Sequence, residues 1–313
     1  MNMMTIVKTD QERTEEVQEF SKGCWVHLCN PDESELNAVT EYLGVEPDWV
    51  RAALDEEERA RIETDNGDTL IIVDIPMVEA EGRSFVYSTI PLGILCTEDV
   101  IVTVTLKPTP VINDFIEGRV KGFYTFKKSR FILQLLYKNA TKFLQYLKQI
   151  DKASTRVQNE LHKSMKNKEL IQLLGLEKSL VYFSTSLTSN EMVLDKMLKI
   201  DYIKKYQDDE DLLEDVIVEN KQAIEMCNIY RDILSGTMDA FASVISNNLN
   251  IVMKMLASIT IVISIPTIVA SIWGMNFASM PLADKPYGFW IITGAALLLS
   301  GAVAWIMRKL KML

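Results

Sequence analysis

Residues 255–277 read MLASITIVISIPTIVASIWGMNF, and no charged residue falls between Lys254 and Asp284. That is a run of 29 uncharged residues, and a second run of 22 separates Lys285 from Arg308. About 20 apolar residues suffice to cross the hydrocarbon core of a bilayer. The two runs predict membrane-spanning helices over 251–276 and 288–307, joined by a loop at 277–287 and followed by a tail at 308–313. Lys254 precedes the first span, and Arg308, Lys309 and Lys311 follow the second, whereas the loop holds only Asp284 and Lys285. The positive-inside rule then places both termini in the cytoplasm and the loop outside.

Upstream, the first span runs on without a breaker. After Pro110 the next proline is Pro266, and only four glycines (118, 122, 175, 236) lie between them. This predicts long helices, from about Lys127 to Asn167, then to about Lys199, and a third from about Asp209 straight into the membrane. The third would cover 65 residues to position 273, roughly 98 Å at about 1.5 Å per residue. Residues 119–250 are thus expected to be cytoplasmic helices, the last of them the stalk of the membrane helix.

Residues 1–118 have a different grain. Runs with strand composition occur at Cys24–Cys29, Leu70–Ile75, Ser84–Leu95 and Val100–Leu106, broken by turn chemistry such as Asp65-Asn66-Gly67-Asp68. Leu36, Val39, Tyr42 and Leu43 fall at helical spacing before Gly44. The expected fold class is an α/β N-terminal cytoplasmic domain, followed by long α-helices and two C-terminal transmembrane helices.

Composition removes several functions. The chain of 313 residues carries net charge −10, unevenly spread: −17 over residues 1–118, then +11 over residues 119–168. The basic residues interleave with an apolar helical face, which fits a helix packed between acidic neighbours and excludes nucleic acid as a partner. The N-terminus has acids and no apolar core of a secretory signal. Four cysteines in so long a chain make no disulfide framework and suit a reducing cytosol. Cys24, His27 and Cys29 are close enough to suggest zinc. On a strand, however, Cys24 faces away from the other two, and no fourth ligand is near. No phosphate loop, nucleophile elbow or His-Glu-x-x-His is present, so the chain is not expected to be an enzyme, to use an organic cofactor or to couple to ATP.

The first span carries a polar stripe. Asp239, Ser243, Ser246, Asn250, Met253, Ala257, Thr260, Ser264, Thr267 and Ser271 are ten positions whose mean step is near 3.6, one helix face. Eight are polar, and the other faces are Ile, Val, Leu and Met. Single hydroxyls in membrane helices often bond back to their own backbone or join helix to helix. A whole stripe, continued into Asn250 and Asp239, points instead to a water-lined path. One two-span hairpin cannot enclose such a path, so several copies are implied.

The stripe ends at Trp273-Gly274-Met275-Asn276-Phe277. A Gly-Met-Asn turn closing the first of two C-terminal spans, 37 residues from the end, resembles the CorA family of magnesium channels. Met280-Pro281, Pro266-Thr267, the run Arg231-Asp232-Ile233-Leu234-Ser235-Gly236 and the basic tail strengthen the resemblance. It covers the last 85 or so residues well and the N-terminal region in outline. The resemblance implies a funnel-shaped homopentamer in the cell (inner) membrane, with Mg²⁺ transported and also regulatory. It makes Gly274, Met275 and Asn276 the external selectivity mouth, and Thr267 a pore threonine. Asn250, Met253 and Leu256 match the cytoplasmic neck, where apolar rings close a pore by dewetting. Asp239 matches an acidic ring that concentrates cations. Mg²⁺ sheds water reluctantly, so neutral amide oxygens suit its hydration shell.

Two departures stand out. The loop reads Met280-Pro281-Leu282-Ala283, without the glutamate usual after Met-Pro, and Asp284 follows two places on. The family's gating site pairs two aspartates between subunits. Asp215 occupies one position, but Ala52 falls on the other, with Asp55–Glu58 just beyond. Glu214, Asp215, Asp55 and Glu56 are therefore the candidate regulatory ligands. The alternatives are the same architecture carrying Co²⁺, Ni²⁺ or Zn²⁺, or exporting, and a membrane-tethered scaffold. The first three ions favour N and S ligands, while the stripe offers oxygens apart from Met253.

Overall fold

The computed structural model describes residues 4–10, 13–81, 84–164, 167–199, 207–275, 282, 285–310 and 312. The chain divides into two compact units, Met1–Gly236 and Thr237–Leu313.

The first unit is built on a seven-stranded sheet with strand order β2-β1-β3-β7-β6-β5-β4. Its strands are β1 (Met4–Asp10), β2 (Arg13–Val17), β3 (Trp25–Cys29), β4 (Arg61–Asp65), β5 (Asp68–Glu81), β6 (Ser84–Cys96) and β7 (Ile101–Thr105). Neighbours are antiparallel except β3 and β7, which pair in parallel with Trp25 opposite Ile101. Both faces are covered, and alternation along each strand sends successive side chains to opposite layers. One face meets α1 (Glu33–Leu43) and α2 (Pro47–Arg51): Leu36, Val39 and Val50 pack with Val26, Leu28, Val102 and Val104. A capping box between Asp32 and Glu35 starts α1, and Gly44, at φ 68°, closes it in the left-handed conformation that glycine tolerates. Gly93 is required for another reason, since a Cβ there would lie 2.8 Å from the Ala53 Cβ in the 3₁₀ turn Ala52–Leu54.

The other face meets α3 (Pro110–Ile116), α4 (Lys128–Ser164) and α5 (Asn167–Met197). Trp25, Ile71, Val73, Leu92 and Ile94 pack there with Phe115, Phe131, Leu135 and Val193. Trp25 is the anchor. Phe115, Phe123 and Phe131 meet its indole edge-on at 6.4, 5.8 and 4.9 Å, and its Nε1 donates to Thr103 Oγ1 at 2.8 Å. The basic α4 does sit between acidic partners, with Lys138 paired to Asp114 at 2.7 Å and Arg130 to Asp209 at 3.4 Å.

β4 begins at Arg61, opposite Ile72, so β5 runs on unpaired by it beyond that point. There the Asp74 N–H donates to Asn190 Oδ1, and its carbonyl accepts from Nδ2 of both Asn139 and Asn190, each at 2.8 Å. Burial pushes the Asp74 carboxyl up, against an opposing bond to Ser186.

The third long helix, α6, is continuous from Gln207 to Trp273. Within the first unit it adds Leu213 and Val216 to the core. It lies along α5, where Asn220 Nδ2 donates to the Leu187 carbonyl at 3.1 Å and the Cys227 thiol to the Leu180 carbonyl at 3.2 Å. Burial raises that thiol to about 12, which makes it unreactive.

The second unit holds the rest of α6 and α7 (Gly288–Lys309). Both helices are long and apolar enough to cross a membrane. α6 buries Phe241 below the apolar run. Along the run itself α7 buries Gly288, Ala296 and Ser300 and α6 buries Ser258, while large apolar side chains such as Ile263, Ile268, Trp290 and Leu298 point outward.

Candidate functional site: a polar face on the membrane helix

A helix advances about 100° per residue at 3.6 residues per turn. On α6, Val262, Pro266, Val269, Ala270, Trp273 and Gly274 lie beside α7, and Ser258 lies beside Met312 just past its end. Ser300 Oγ donates to the Val262 carbonyl at 2.9 Å, and Ser258 Oγ donates to the Met312 carbonyl at 3.1 Å. Pro266, Val269, Ala270, Trp273 and Gly274 line a cavity of about 360 Å³ with Phe289, Ile292 and Ala296 of α7. The mean direction of Ala257, Thr260, Ser264, Thr267 and Ser271 lies roughly 155° around the helix from that of this group. The second membrane helix thus covers the side of α6 that faces away from the stripe. Within the unit, Asp239, Ser243, Ser246, Asn250, Met253, Leu256, Thr260, Thr267 and Ser271 are exposed, and Ser264 is half-buried.

Three hydroxyls of the stripe, those of Thr260, Ser264 and Thr267, are committed to their own helix. Thr260 Oγ1 donates to the Leu256 carbonyl at 2.9 Å, Ser264 Oγ to Thr260 at 2.8 Å, and Thr267 Oγ1 to Ile263 at 3.1 Å. With each proton turned inward, the lone pairs are what these groups present outward. Ser258, the one hydroxyl of the span off the stripe, is fully buried. It bonds both the Lys254 carbonyl, at 2.8 Å, and the Met312 carbonyl.

At the end of α6 the Gly274 N–H donates to the Ala270 carbonyl at 2.9 Å, and Met275 N–H to Ile272 at 3.3 Å. A Cβ on Gly274 would meet the Ala270 carbonyl oxygen at 3.2 Å, a contact tight enough to favour glycine here. Met275 is exposed. Asn276, Met280, Pro281 and Asp284 lie outside the described residues.

The regulatory candidates are spread out. Glu214 and Asp215 are exposed on α6, and Asp55 and Glu56 are exposed just after the turn Ala52–Leu54. Asp55 Oδ1 accepts from the Glu57 N–H at 3.0 Å, and Glu58 pairs with Arg61. Among the described residues, no three His, Cys, Asp or Glu side chains come together as a metal site within one chain. The Cys24, His27 and Cys29 grouping divides between faces as expected. Cys24 packs with Val26 and Leu28, while the His27 imidazole turns to Thr103 Oγ1 at 2.9 Å. Burial, only partly opposed by Thr103, pushes that imidazole down to about 4.

Sequence reading missed Ser300. Its signal was a hydroxyl, one of two with Thr293, in an apolar span.

Known proteins share the architecture. The complete structure of the CorA magnesium transporter from Methanocaldococcus jannaschii superposes with a TM-score of 0.84, covering 99% of this chain and 98% of that one at 23% identity. The cobalt/magnesium transport protein CorA of the same organism is 28% identical over 299 residues, 91% of this chain and 90% of that protein. The one from Thermotoga maritima is 22% identical over 312 residues, 96% of this chain and 85% of its own. The family described as CorA-like Mg²⁺ transporter protein matches residues 20–309, and this chain, a membrane protein by its two apolar helices, belongs to that family.

Proposed function

We propose that the chain forms a homopentameric, passive channel for Mg²⁺ with the α6 helices around the pore. One observation carries this reading: α7 covers the side of α6 opposite the stripe, which leaves the polar face without a partner on another element among the described residues. A row of lone pairs gains nothing from lipid. Copies of the same helix, arranged about an axis, would give it water. The coordinated waters of a hydrated Mg²⁺ present hydrogens outward, and Thr260, Ser264 and Thr267 would receive them without giving up a proton of their own. The tightly held hydration shell makes passage of the hydrated ion the economical route.

In this arrangement Gly274, Met275 and Asn276 form the outer mouth, and the exposed Met253 and Leu256 form apolar rings that close by dewetting. Asp239 gathers cations on the cytoplasmic side, and both termini are cytoplasmic. Glu214 and Asp215 of one copy, with Asp55 and Glu56 of the next, would bind intracellular Mg²⁺ and favour closure. Flux follows the electrochemical gradient inward. Co²⁺ is the second cation to test, because curated relatives are named for cobalt as well as magnesium.

The test is Mg²⁺ influx into proteoliposomes under an inside-negative potential, with Asn276→Ala alongside. Influx that the substitution abolishes or makes unselective supports the channel and its mouth. A wild type that passes no Mg²⁺ overturns the channel reading. A variant that conducts unchanged overturns the mouth.

A further inference from the structure

Pro266 is the proline inside α6, and it lies within the membrane span. In an uninterrupted helix the amide of residue 266 would bond the carbonyl of Val262, four residues back. Proline has no amide hydrogen, so that carbonyl loses its partner. In hydrocarbon no water replaces it. The structure supplies a donor from the other helix: Ser300 Oγ of α7 lies 2.9 Å from the Val262 carbonyl oxygen. Ser300 is itself buried, and Ala296, one turn earlier, is the buried small residue that permits close approach.

We infer that Ser300 is a positioning residue for transport, its hydroxyl standing in for the amide that Pro266 lacks and fixing α7 to α6 at the proline. The neighbouring turn carries Ser264 and Thr267 on its far side. The angle that α6 adopts at Pro266 therefore sets where two stripe hydroxyls stand. A proline without this cap leaves a hinge whose bend is set by little else. With the cap, the bend is tied to the second helix. The consequence for transport rests on the channel reading above; the bond itself does not.

The experiment uses the full-length protein as wild type, Ser300→Ala, Ser300→Thr, Pro266→Ala and Pro266→Ala/Ser300→Ala. Two readouts are taken: Mg²⁺ influx per reconstituted protein with a dye trapped in the liposomes, and the thermal unfolding midpoint in detergent. Ser300→Ala should lower influx at least fivefold and lower the midpoint. Ser300→Thr, which keeps the hydroxyl, should stay within twofold of wild type. Pro266→Ala returns the amide to the helix, so adding Ser300→Ala to it should move the midpoint by less than a third of the shift seen beside proline. Recovery of folded protein for the double variant, where Ser300→Ala alone does not accumulate, would support the same coupling.

Equal midpoint shifts in both backgrounds would overturn the inference, as would wild-type behaviour of Ser300→Ala. So would a threonine variant as impaired as the alanine one, or failure of both alanine variants to accumulate. If wild type passes no Mg²⁺, the channel reading falls, while the midpoints still decide whether Ser300 serves the proline.

Discussion

The first unit and the apolar spans of the second bury opposite kinds of residue. In the first, Trp25, Phe143 and Phe183 are fully enclosed. In the second, Trp290 and Leu298 are 74% and 78% exposed, whereas Ser258 is at 0%. Water rewards the removal of apolar surface at about 25 cal/mol per Å². Lipid gives no such reward, so small residues and hydroxyl bonds hold helices together there. One chain therefore obeys two rules of burial, each written for its own solvent.

The contrast can be broken most forcefully at Trp25. Trp25→Ala would empty the aromatic cluster and remove the indole donor to Thr103, leaving that hydroxyl its bond to His27. The expected loss is about 3–5 kcal/mol of first-unit stability, read as a lowered urea midpoint by circular dichroism; a loss below 1 kcal/mol would mean that the sheet core does not depend on its largest anchor.

Next comes His27, two residues along the same face. In the unfolded chain an imidazole takes up its proton near pH 6.5, but the folded chain holds His27 down to about 4. Between these values the unfolded state binds more protons. Stability is therefore full above about pH 6.5 and declines as pH falls toward 4, by about 3 kcal/mol for this group. His27→Gln should flatten that part of the profile, and urea midpoints at pH 7.5 and 4.5 for both proteins would check it. An unchanged difference between the two pH values would exclude His27 as the cause.

The smallest effect sharpens the contrast from the other side. Leu298→Ala deletes a large apolar side chain, yet the lipid-facing position should shift stability by under about 0.5 kcal/mol. A thermal midpoint in detergent that drops as a buried leucine's would indicate a protein surface against α7 there.

Much of the fold was legible, and the omissions have a common physical cause. The runs Cys24–Cys29, Leu70–Ile75, Ser84–Leu95 and Val100–Leu106 fall on β3, β5, β6 and β7, inside the sheet, where both faces are covered and apolar composition is required. β1, β2 and β4 escaped because they lie toward the edges, where Lys8, Glu15, Glu16, Arg61 and Glu63 break the apolar pattern. Strand β5 extends past Leu70–Ile75 through Pro76, a residue that normally argues against a strand. α3 was announced by Thr109-Pro110, whose threonine side chain accepts from the Val111 N–H, but seven residues are too few to show a period. At the membrane face, spacing alone isolated the stripe, because one helix generates it. The contribution of α7 could not be read that way. It depends on which turn of one helix meets which turn of another, and a one-dimensional pattern holds no such register.

Asn139 and Asn190 have a consequence outside transport. A strand that continues past its neighbour leaves peptide groups free to recruit another strand, which is how sheets grow between molecules. The side chain of asparagine is itself a primary amide, with the same donor and acceptor chemistry as the backbone. At Asp74, Asn190 occupies both the N–H and the carbonyl, and Asn139 adds a second donor. Two helices thus offer β5 a counterfeit partner made of side chains. A foreign strand would have to evict both asparagines before pairing at Asp74, so the first rung beyond β4 is blocked from within.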